Sequence, residues 1–354
     1  MINQKYNLRL KKDRIYEVPI AYRTDLHTDT ITEFYKMYHF INEHPSCYVM
    51  IGDFTSFFDR INHQYLKERL CDLLQVNKLS SDYYTVFKRI TNYDYWDLDD
   101  LYSLNNLNPT NRKDKIAFNS KQRVLSKKAY KKYRSHIKHH YGNEGIPQGS
   151  SISACLANVY MLEIDKTIND FVVRCGGVYR RYSDDFIIIL PMDMSSVDDI
   201  EAIIKRFESF KTRKILELQP AKTQIYKVQN HTVKNIGHLF TPKLNEKHKT
   251  INFIGFTFDG NKVIIRDKTT TKYYYRMRHK AKGVAHQYKQ GKGYPGSDKL
   301  YRLYSPNGQY GKGNYFTYLK RVQRTFPDQP IMIPADKIMT KIRLTLKNNR
   351  WHFK

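Results

Sequence analysis

Cysteine is scarce in this chain, and its few copies lie far apart. Only four of the 354 residues are cysteine, Cys47, Cys71, Cys155 and Cys175, and none forms a C-x-x-C pair or lies beside paired histidines. Structural zinc sites and disulfide frameworks depend on close spacing of such residues. The sequence therefore argues against both and predicts a protein of the reducing cytoplasm.

Long apolar runs are also missing. No stretch approaches the length that crosses a bilayer, and the chain does not open with a secretory signal. We therefore expect a protein that is not embedded in a membrane.

Acidic residues are the third shortage. The chain has 34 Asp and Glu against 61 Lys and Arg, for a formal charge of +27. Such an excess of positive charge favours a polyanionic partner, and nucleic acid is the first candidate. The 29 tyrosines add rings that can stack on bases, although tyrosine rings also fill protein cores.

The most informative local pattern spans residues 178–190. Asp184 and Asp185 interrupt a run of β-branched and aromatic residues, which is typical of a strand, a tight turn and a second strand. Two adjacent carboxylates at a hairpin tip repel each other, and a hard divalent ion with oxygen ligands compensates that repulsion. A solvated turn is the alternative for an isolated Asp-Asp pair.

A second acidic strand precedes this hairpin. The apolar run at 47–52 leads directly into Asp53. If that strand lies beside the hairpin, Asp53 comes close to Asp184, and three carboxylates can then hold two Mg²⁺ ions. Two such ions clamp the attacking and leaving oxygens of an in-line phosphoryl transfer. The three acids together predict a two-metal site.

Helical and basic segments separate the two acidic stretches. Apolar spacing predicts helical structure over 62–96. Residues 97–142 are Asn-rich and then strongly basic, which indicates an insertion that holds template or structural RNA, or else a solvated basic helix. A Gly/Pro turn then opens a helix expected over 150–165, where Gln148 and Gly149 are candidates to contact a nucleotide and its template base.

The order of acidic strand, Pro-Gln-Gly-Ser helix and Tyr-Ser-Asp-Asp hairpin resembles the palm of reverse transcriptases. More narrowly, it is similar to the bacterial reverse transcriptases of the abortive-infection and unknown-group type, many of which serve in antiphage defence. This resemblance implies an α+β right-hand polymerase fold. Short fingers would occupy 1–46, a palm 47–260 with the basic insertion at about 97–142, and a basic helical thumb 261–354.

The resemblance also implies roles for individual residues. Asp53, Asp184 and Asp185 match the catalytic, magnesium-binding acids. Phe58 matches the residue beneath the sugar, where a bulky ring excludes a ribose 2′-OH and favours deoxynucleotides. The remaining matches form two groups, substrate-binding residues and nucleic-acid-binding residues. They are Phe54, Gln148, Gly149 and Lys222 for the substrate, Phe253 and Gly255 in the primer grip, and Lys272, Arg276 and Arg278 in the thumb.

Two further predictions concern the C-terminal part. Residues 291–316 are rich in Gly, Pro, Ser and Asn and predict a long loop between helices. Residues 335–347 have helical spacing and a basic face, which favour a helix that docks on RNA, on a second subunit, or simply within the thumb.

The function implied by the resemblance is RNA-directed DNA polymerisation with two Mg²⁺ ions, deoxynucleoside triphosphates and an RNA template. A dedicated noncoding RNA, a homo-oligomeric partner and a second reverse transcriptase subunit are candidate partners. Two alternatives stay open. One is untemplated or protein-primed DNA synthesis by the same site. The other is a non-catalytic RNA-binding scaffold, against which the presence of all three acids argues.

Overall fold

The structure is a computed structural model that describes residues 2–241, 244, 248–292, 296–306, 308, 313–331 and 335–348. Its α-helices are, in chain order, α1 (Ile2–Lys12), α2 (Thr30–Glu43), α3 (His63–Leu74), α4 (Ser81–Thr91), α5 (Leu98–Leu104), α6 (Arg112–Asn119), α7 (Lys127–Lys132), α8 (Ser151–Tyr160), α9 (Leu162–Arg174), α10 (Val197–Thr212), α11 (Asp267–Lys289), α12 (Ser297–Tyr304), α13 (Tyr315–Thr325) and α14 (Ala335–Asn348).

The strands are β1 (Ser46–Gly52), β2 (Asp94–Tyr95), β3 (Lys138–His139), β4 (Val178–Tyr182), β5 (Asp185–Pro191), β6 (Gln224–Gln229), β7 (Thr232–Asn235), β8 (Ile251–Phe253), β9 (Phe256–Phe258) and β10 (Val263–Ile265). Short 3-10 turns are formed by Phe57–Arg60, Arg134–His136 and Gly237–Leu239.

The chain divides into two compact units. The first unit consists of residues 1–16, 55–166 and 207–217, and the second of residues 17–54, 167–206 and 218–354.

A five-stranded antiparallel sheet forms the centre of the second unit. Its strand order is β4-β5-β1-β6-β7. Strand β1 lies in the middle, and all its residues from Cys47 to Gly52 are buried, as are Phe186 to Pro191 of β5. Near-continuous apolar sequence is what a strand with two covered faces requires. The predicted hairpin and its neighbouring acidic strand are therefore confirmed as β4, β5 and β1.

One hydrophobic core ties this sheet to the helices of the second unit. It combines Val49 and Ile189 of the sheet with Phe34 of α2, Phe256 of the small β8-β9-β10 sheet and Met277 of α11. The rings of Phe34 and Phe256 stack at 4.8 Å. Helix α2 begins at Asp29, whose carboxylate accepts hydrogen bonds from the backbone N–H groups of the first turn.

The first unit is mainly helical. Helix α3 packs against α1 and α8, and strands β2 and β3 form a two-stranded antiparallel ribbon. Helices α5 and α6 share a small core in which the buried rings of Tyr102 and Phe118 stack at 4.2 Å. The weakly patterned basic segment thus contains three short helices, α5 to α7.

Two predicted element boundaries are wrong. The helix expected over 150–165 is two helices, α8 and α9, which are separated at Met161, and the second continues to Arg174. The loop expected over 291–316 contains α12, whose residue Leu300 is fully buried. Gly296 precedes that helix with φ of +82°, so a glycine that predicted a loop begins a helix instead. Parts of that predicted loop, 293–295, 307 and 309–312, lie outside the described residues.

All four cysteines are free thiols, which agrees with the expected absence of disulfides. Among the described residues, no helix combines the length and the apolar content needed to cross a membrane.

Candidate active site on the five-stranded sheet

The register between β1 and β5 brings two of the predicted acids together. The last pair of this ladder is Gly52 with Phe186. In an antiparallel ladder the next step places Asp53 opposite Asp185. Asp53 is 7% exposed, and Asp185 is more exposed than Asp53, although its carboxyl group loses part of its hydration.

The register between β1 and β6 adds a cation on the other side of Asp53. Ile51 pairs with Gln224 in the last pair of this ladder, and the turn that precedes β6 carries Lys222. The side chains of Lys222 and Asp53 meet, because Lys222 Nζ donates a hydrogen bond to Asp53 Oδ2 at 2.5 Å. The Asp53 carbonyl also accepts from the backbone N–H of Gln219 at 2.8 Å. Asp185 at the start of β5, Asp53 directly after β1 and Lys222 shortly before β6 therefore lie side by side at one edge of the sheet.

The third acid, Asp184, lies in the tight turn of the β4-β5 hairpin. Tyr182 pairs with Asp185, so Ser183 and Asp184 form a two-residue turn. Ser183 has φ of +60°, a conformation that residues other than glycine adopt rarely and at a cost in energy. Its carbonyl accepts a hydrogen bond at 2.9 Å from the guanidinium of Arg181, which is 0% exposed.

A segment that sequence analysis did not connect to the hairpin supports the same turn. The backbone of β4 exchanges hydrogen bonds with Val18 and Ile20 at residue Arg181, at 2.8 and 2.9 Å. A little further on, the hydroxyl of Tyr22 lies 3.2 Å from Ser183 Oγ. The sequence carried no signal for this link, because the burial of Arg181 is seen only in the folded structure.

Gly52 is required by close packing at the end of β1. A Cβ atom on Gly52 would lie 2.5 Å from the ring of Phe186. That ring is fully buried, and it stacks on Phe54 at 5.4 Å. Gly52 and Phe54, the residues on either side of Asp53, thus both pack against Phe186. Phe54 itself is 2% exposed, and its predicted role in substrate binding remains a prediction.

The charges at this site affect each other strongly. Lost hydration and the negative charges of Asp184 and Asp53 raise the pKa of Asp185 to about 6, although Lys222 and Arg266 act in the opposite direction. The hydrogen bond to Asp53 raises the pKa of Lys222, so this ammonium stays protonated at neutral pH. Asp53, Asp184, Asp185 and Lys222 are called the carboxylate site below.

A cavity of about 240 Å³ opens at the carboxylate site. The β8-β9 hairpin forms part of its wall through Asn252, Phe253 and Ile254, and Arg266 adds a second cation. The hairpin turn has positive φ at both central residues, +37° at Ile254 and +96° at Gly255, which a two-residue turn of the primed type requires. Phe253 is buried, and its predicted contact with a primer is not tested by this geometry.

The donor chemistry at the carboxylate site suits magnesium. Carboxylate oxygens are the hard ligands that Mg²⁺ prefers. Burial and the negative charges of Asp184 and Asp53 raise the pKa of Asp185, and the Lys222 ammonium occupies the place of a cation on Asp53. In the described part of the chain, however, no three His, Cys, Asp or Glu side chains are already arranged around one metal position.

Three predicted substrate residues lie in the first unit. Phe58 is half-buried in the 3-10 turn Phe57–Arg60, and its carbonyl accepts from the backbone N–H of Ile146 at 2.9 Å. This bond ties the turn to the loop that carries Gln148 and Gly149, both of which are exposed. Gly149 has φ of +88°, and a Cβ there would meet no atom within 4 Å. The structure therefore brings these three predicted residues onto neighbouring segments.

The predicted thumb cations lie on α11. Lys272, Arg276 and Arg278 are exposed, while Tyr273 and Met277 form part of the buried stripe of the same helix. This arrangement leaves the three cations free to meet a polyanion, and contact with nucleic acid remains a prediction.

Comparison with known proteins gives a family and distant structural neighbours. Residues 2–258 match the family described as reverse transcriptase (RNA-dependent DNA polymerase). A search among curated proteins found no match.

Among solved structures, apo telomerase from Candida tropicalis is 13% identical, covering 99% of this chain and 53% of that chain, with a TM-score of 0.46. Telomerase from the same organism in complex with a TWJ fragment of telomeric RNA is 12% identical, covering 99% and 54%, with a TM-score of 0.47. A Candida albicans telomerase with such a fragment is 12% identical, covering 100% and 55%, with a TM-score of 0.42. The present chain thus spans about half the length of these telomerase chains.

The family match covers more than half of the chain and includes the acidic strand, the hairpin and the helices between them. The protein therefore belongs to the reverse transcriptase (RNA-dependent DNA polymerase) family and has its mixed α and β fold.

Proposed function

We propose that this protein synthesises DNA on an RNA template by adding deoxynucleotides to a primer. In each step the primer 3′-oxygen forms a bond to the α-phosphorus of a deoxynucleoside triphosphate. The bond from that phosphorus to the pyrophosphate breaks, and pyrophosphate leaves. The observation that carries the proposal is the grouping of Asp185, Asp53 and Lys222 at the adjoining ends of β5, β1 and β6, beside the turn that holds Asp184.

Asp53, Asp184 and Asp185 would hold two Mg²⁺ ions. When bound, these ions would neutralise charge on the attacking and leaving oxygens. The protein's own contribution is to keep the carboxylates in place. Asp53 is buried and clamped beside Phe186, and the turn with Asp184 is supported by the buried Arg181.

Lys222 would change partners during the reaction cycle. In the structure its ammonium group neutralises Asp53 at 2.5 Å, and the rest of the side chain is exposed. We propose that Lys222 moves to a phosphate oxygen of the incoming nucleotide, because a triphosphate offers more negative charge than one carboxylate. Asp53 is then free to act as a metal ligand.

Phe58, Gln148 and Gly149 would recognise the nucleotide. The exposed amide of Gln148 and the open space at Gly149 allow close approach of a base or sugar. We propose that the Phe58 ring discriminates against ribonucleotides. Phe58→Ala should raise the ratio of ribonucleotide to deoxynucleotide incorporation by at least tenfold, and an unchanged ratio would remove Phe58 from this role. Phe57→Leu is a control at a neighbouring buried ring.

Phe253 and Gly255 of the β8-β9 hairpin would support the primer end, and Lys272, Arg276 and Arg278 would contact phosphates of the template-primer duplex. The exposed positions of the three cations on α11 support this assignment. Such phosphate contacts are independent of sequence and weaken with salt.

The decisive experiment is primer extension on an RNA template with Mg²⁺. The wild-type protein should extend the primer, whereas Asp184→Ala should reduce the rate by at least a thousandfold and leave template binding unchanged. Asp193→Ala, an exposed acid beyond the far end of β5, is the matched control and should keep full activity. Near-normal extension by Asp184→Ala would reject the mechanism.

The same assay separates the alternatives. Product that needs no template, or that is released from protein only by protease, would indicate untemplated or protein-primed synthesis. No product from wild-type protein under any condition would favour an RNA-binding scaffold.

We further propose that the protein acts in the cytoplasm in defence against phage, with a dedicated noncoding RNA and in a complex with a second copy or subunit. The support is the similarity of its motifs to bacterial defence reverse transcriptases. Cells carrying the wild-type gene should resist a phage panel, and Asp184→Ala cells should not. Equal plaque counts across the panel would reject the defence role. Sequencing the RNA that copurifies with Asp184→Ala protein tests for one discrete transcript.

A further inference from the structure

Positive charge is concentrated in one short part of the first unit. Residues 111–142 contain eleven lysines and arginines but a single acid, Asp114. Five of these cations, Lys127, Lys128, Lys131, Lys132 and Arg134, fall on α7 and the 3-10 turn after it, and all five are exposed.

Nearby acids do not neutralise these five cations. Asp97 pairs with Lys138, Asp94 with His139 at 2.5 Å, and Asp100 lies 3.8 Å from His136. Within residues 2–241, none of the five cations on and after α7 forms an ion pair with an acid. Lysines one helical turn apart repel each other, so the arrangement favours a polyanionic partner.

Aromatic rings lie among these cations. Trp96 lies 6.1 Å from Tyr130 and 6.4 Å from His136, measured between ring centroids, so the three rings form one patch. On the ribbon, the rings of His139 and Tyr141 stack at 5.4 Å. Tyr130 is 48% exposed and Tyr141 is 76% exposed, which is more than a core role would leave.

The combination of rings and cations selects among polyanions. Bases of a duplex hide their faces, whereas the bases of a single strand can stack on exposed rings while its phosphates meet lysines. A membrane surface is a poorer partner, because α7 has the sequence Lys-Lys-Ala-Tyr-Lys-Lys and lacks an apolar face to insert.

We propose that this region is a binding surface for single-stranded nucleic acid that works independently of the carboxylate site. We call it the ribbon surface and define it by two groups of side chains, cations that contact phosphates and rings that stack on bases. They are Lys127, Lys128, Lys131, Lys132 and Arg134, with Tyr95 of β2, which is 45% exposed, and Trp96, Tyr130, His136 and Tyr141.

The test measures binding of a fluorescently labelled 20-nucleotide single-stranded RNA by polarisation, in EDTA and at several salt concentrations. Asp184→Ala protein serves as the background, so polymerisation and metal binding do not contribute. A failed polymerase assay therefore leaves this test intact, and a failure here leaves the proposed polymerase function intact.

The charge variant replaces Lys127, Lys128, Lys131 and Lys132 by glutamine. This variant should bind the single strand at least tenfold more weakly. It should also reduce the magnitude of the slope of log K against log salt by about 3, because each of the four lost phosphate contacts contributes roughly 0.7 to that slope. The matched control replaces Lys11, Lys12, Lys78 and Lys88, four other exposed lysines of the first unit, by glutamine. An equal loss in both variants would overturn the proposal, because net charge alone would then explain it.

The ring variant is Tyr130→Leu, which keeps apolar volume and removes stacking. It should weaken single-strand binding about tenfold without changing the salt slope, and Tyr130→Phe should restore binding. Binding of a 20-base-pair RNA duplex should not respond to Tyr130→Leu. If Tyr130→Leu binds the single strand as tightly as the protein with the unsubstituted ring, the stacking assignment is overturned. If the wild-type protein binds polyglutamate as tightly as single-stranded RNA, the choice of partner is overturned. Single-stranded DNA of the same length shows whether the sugar matters, and circular dichroism verifies that each variant is folded.

Discussion

The carboxylate site and the ribbon surface both concentrate charge of one sign, but they hold it in opposite ways. Asp53 is 7% exposed and directly follows β1, which is held by its register with β5 and β6. The lysines of the ribbon surface lie on a six-residue helix and are all exposed. The function of the carboxylate site therefore depends on backbone geometry. The affinity of the ribbon surface depends on how many cations can reach a polyanion.

This difference predicts how each region responds to mutation. A change of one methyl group should damage the carboxylate site, because chemistry requires atoms in register. The ribbon surface should lose affinity in small steps, because each lysine contributes one of several similar contacts.

Among the variants that test this difference between the two regions, Gly52→Ala should have the largest effect. The new Cβ would lie 2.5 Å from the Phe186 ring and push β1 and β5 apart beside Asp53. We expect a loss of about a hundredfold in primer extension and about 1–3 kcal/mol in stability, measured by extension kinetics and denaturant unfolding. Gly283→Ala on α11 is the control, because a Cβ there meets no atom within 4 Å. Full activity of Gly52→Ala would show that the site tolerates displacement.

A smaller effect is expected from Arg181→Met. The change removes the hydrogen bond to the Ser183 carbonyl and leaves that buried group unpaired, which costs about 2 kcal/mol. Because the turn carries Asp184, primer extension should fall by at least tenfold while single-strand binding stays the same. Arg180→Met, one residue earlier, removes an ion pair with Glu17 instead and should affect stability more than activity. Equal losses of activity in both variants would deny Arg181 a specific positioning role.

The pH dependence of stability tests the combined effect of burial and of the neighbouring acids on Asp185. The pKa of Asp185 is about 6 in the folded protein and lies near 4 in an unfolded chain, so the group binds its proton more tightly when folded. It therefore reduces stability as pH rises from about 4 to about 6, and the reduction is complete above that range. In EDTA at pH 7.5, the melting temperature of Asp185→Asn should be higher than that of wild type. At pH 4 the two melting temperatures should be equal. The melting temperature of the control Asp193→Asn should not differ from wild type in this pH-dependent way. If the difference in melting temperature between Asp185→Asn and wild type is the same at both pH values, the raised pKa of Asp185 is contradicted.

The smallest effect is expected from one lysine of the ribbon surface. Lys128→Gln should weaken single-stranded RNA binding by about twofold to threefold and leave primer extension on a saturating template unchanged. Binding assays and extension kinetics on the same preparation measure both. A tenfold loss from this single change would mean that Lys128 makes a specific contact, and the contrast between the two regions would then be weaker.

Several elements were predictable from local pattern. The strands β1, β4 and β5 were read correctly, because buried strands are apolar and the turn between β4 and β5 is marked by polar residues. Helix α14 was predicted from its spacing, and the absence of disulfides followed from cysteine spacing. The loop prediction failed at α12, because the composition of the surrounding segment hid a short helix whose residue Leu300 is fully buried.

By itself, the sequence determined the order of the motifs, the excess of positive charge and the identity of the three acids. Only the tertiary structure decided which side chains meet. The contact of Lys222 with Asp53 joins residues 169 positions apart, and the support of Ser183 by Tyr22 joins residues 161 apart. Periodicity reports which face of an element is buried, but it carries no information on strand register or on contacts between distant segments, because packing of the whole sheet sets both.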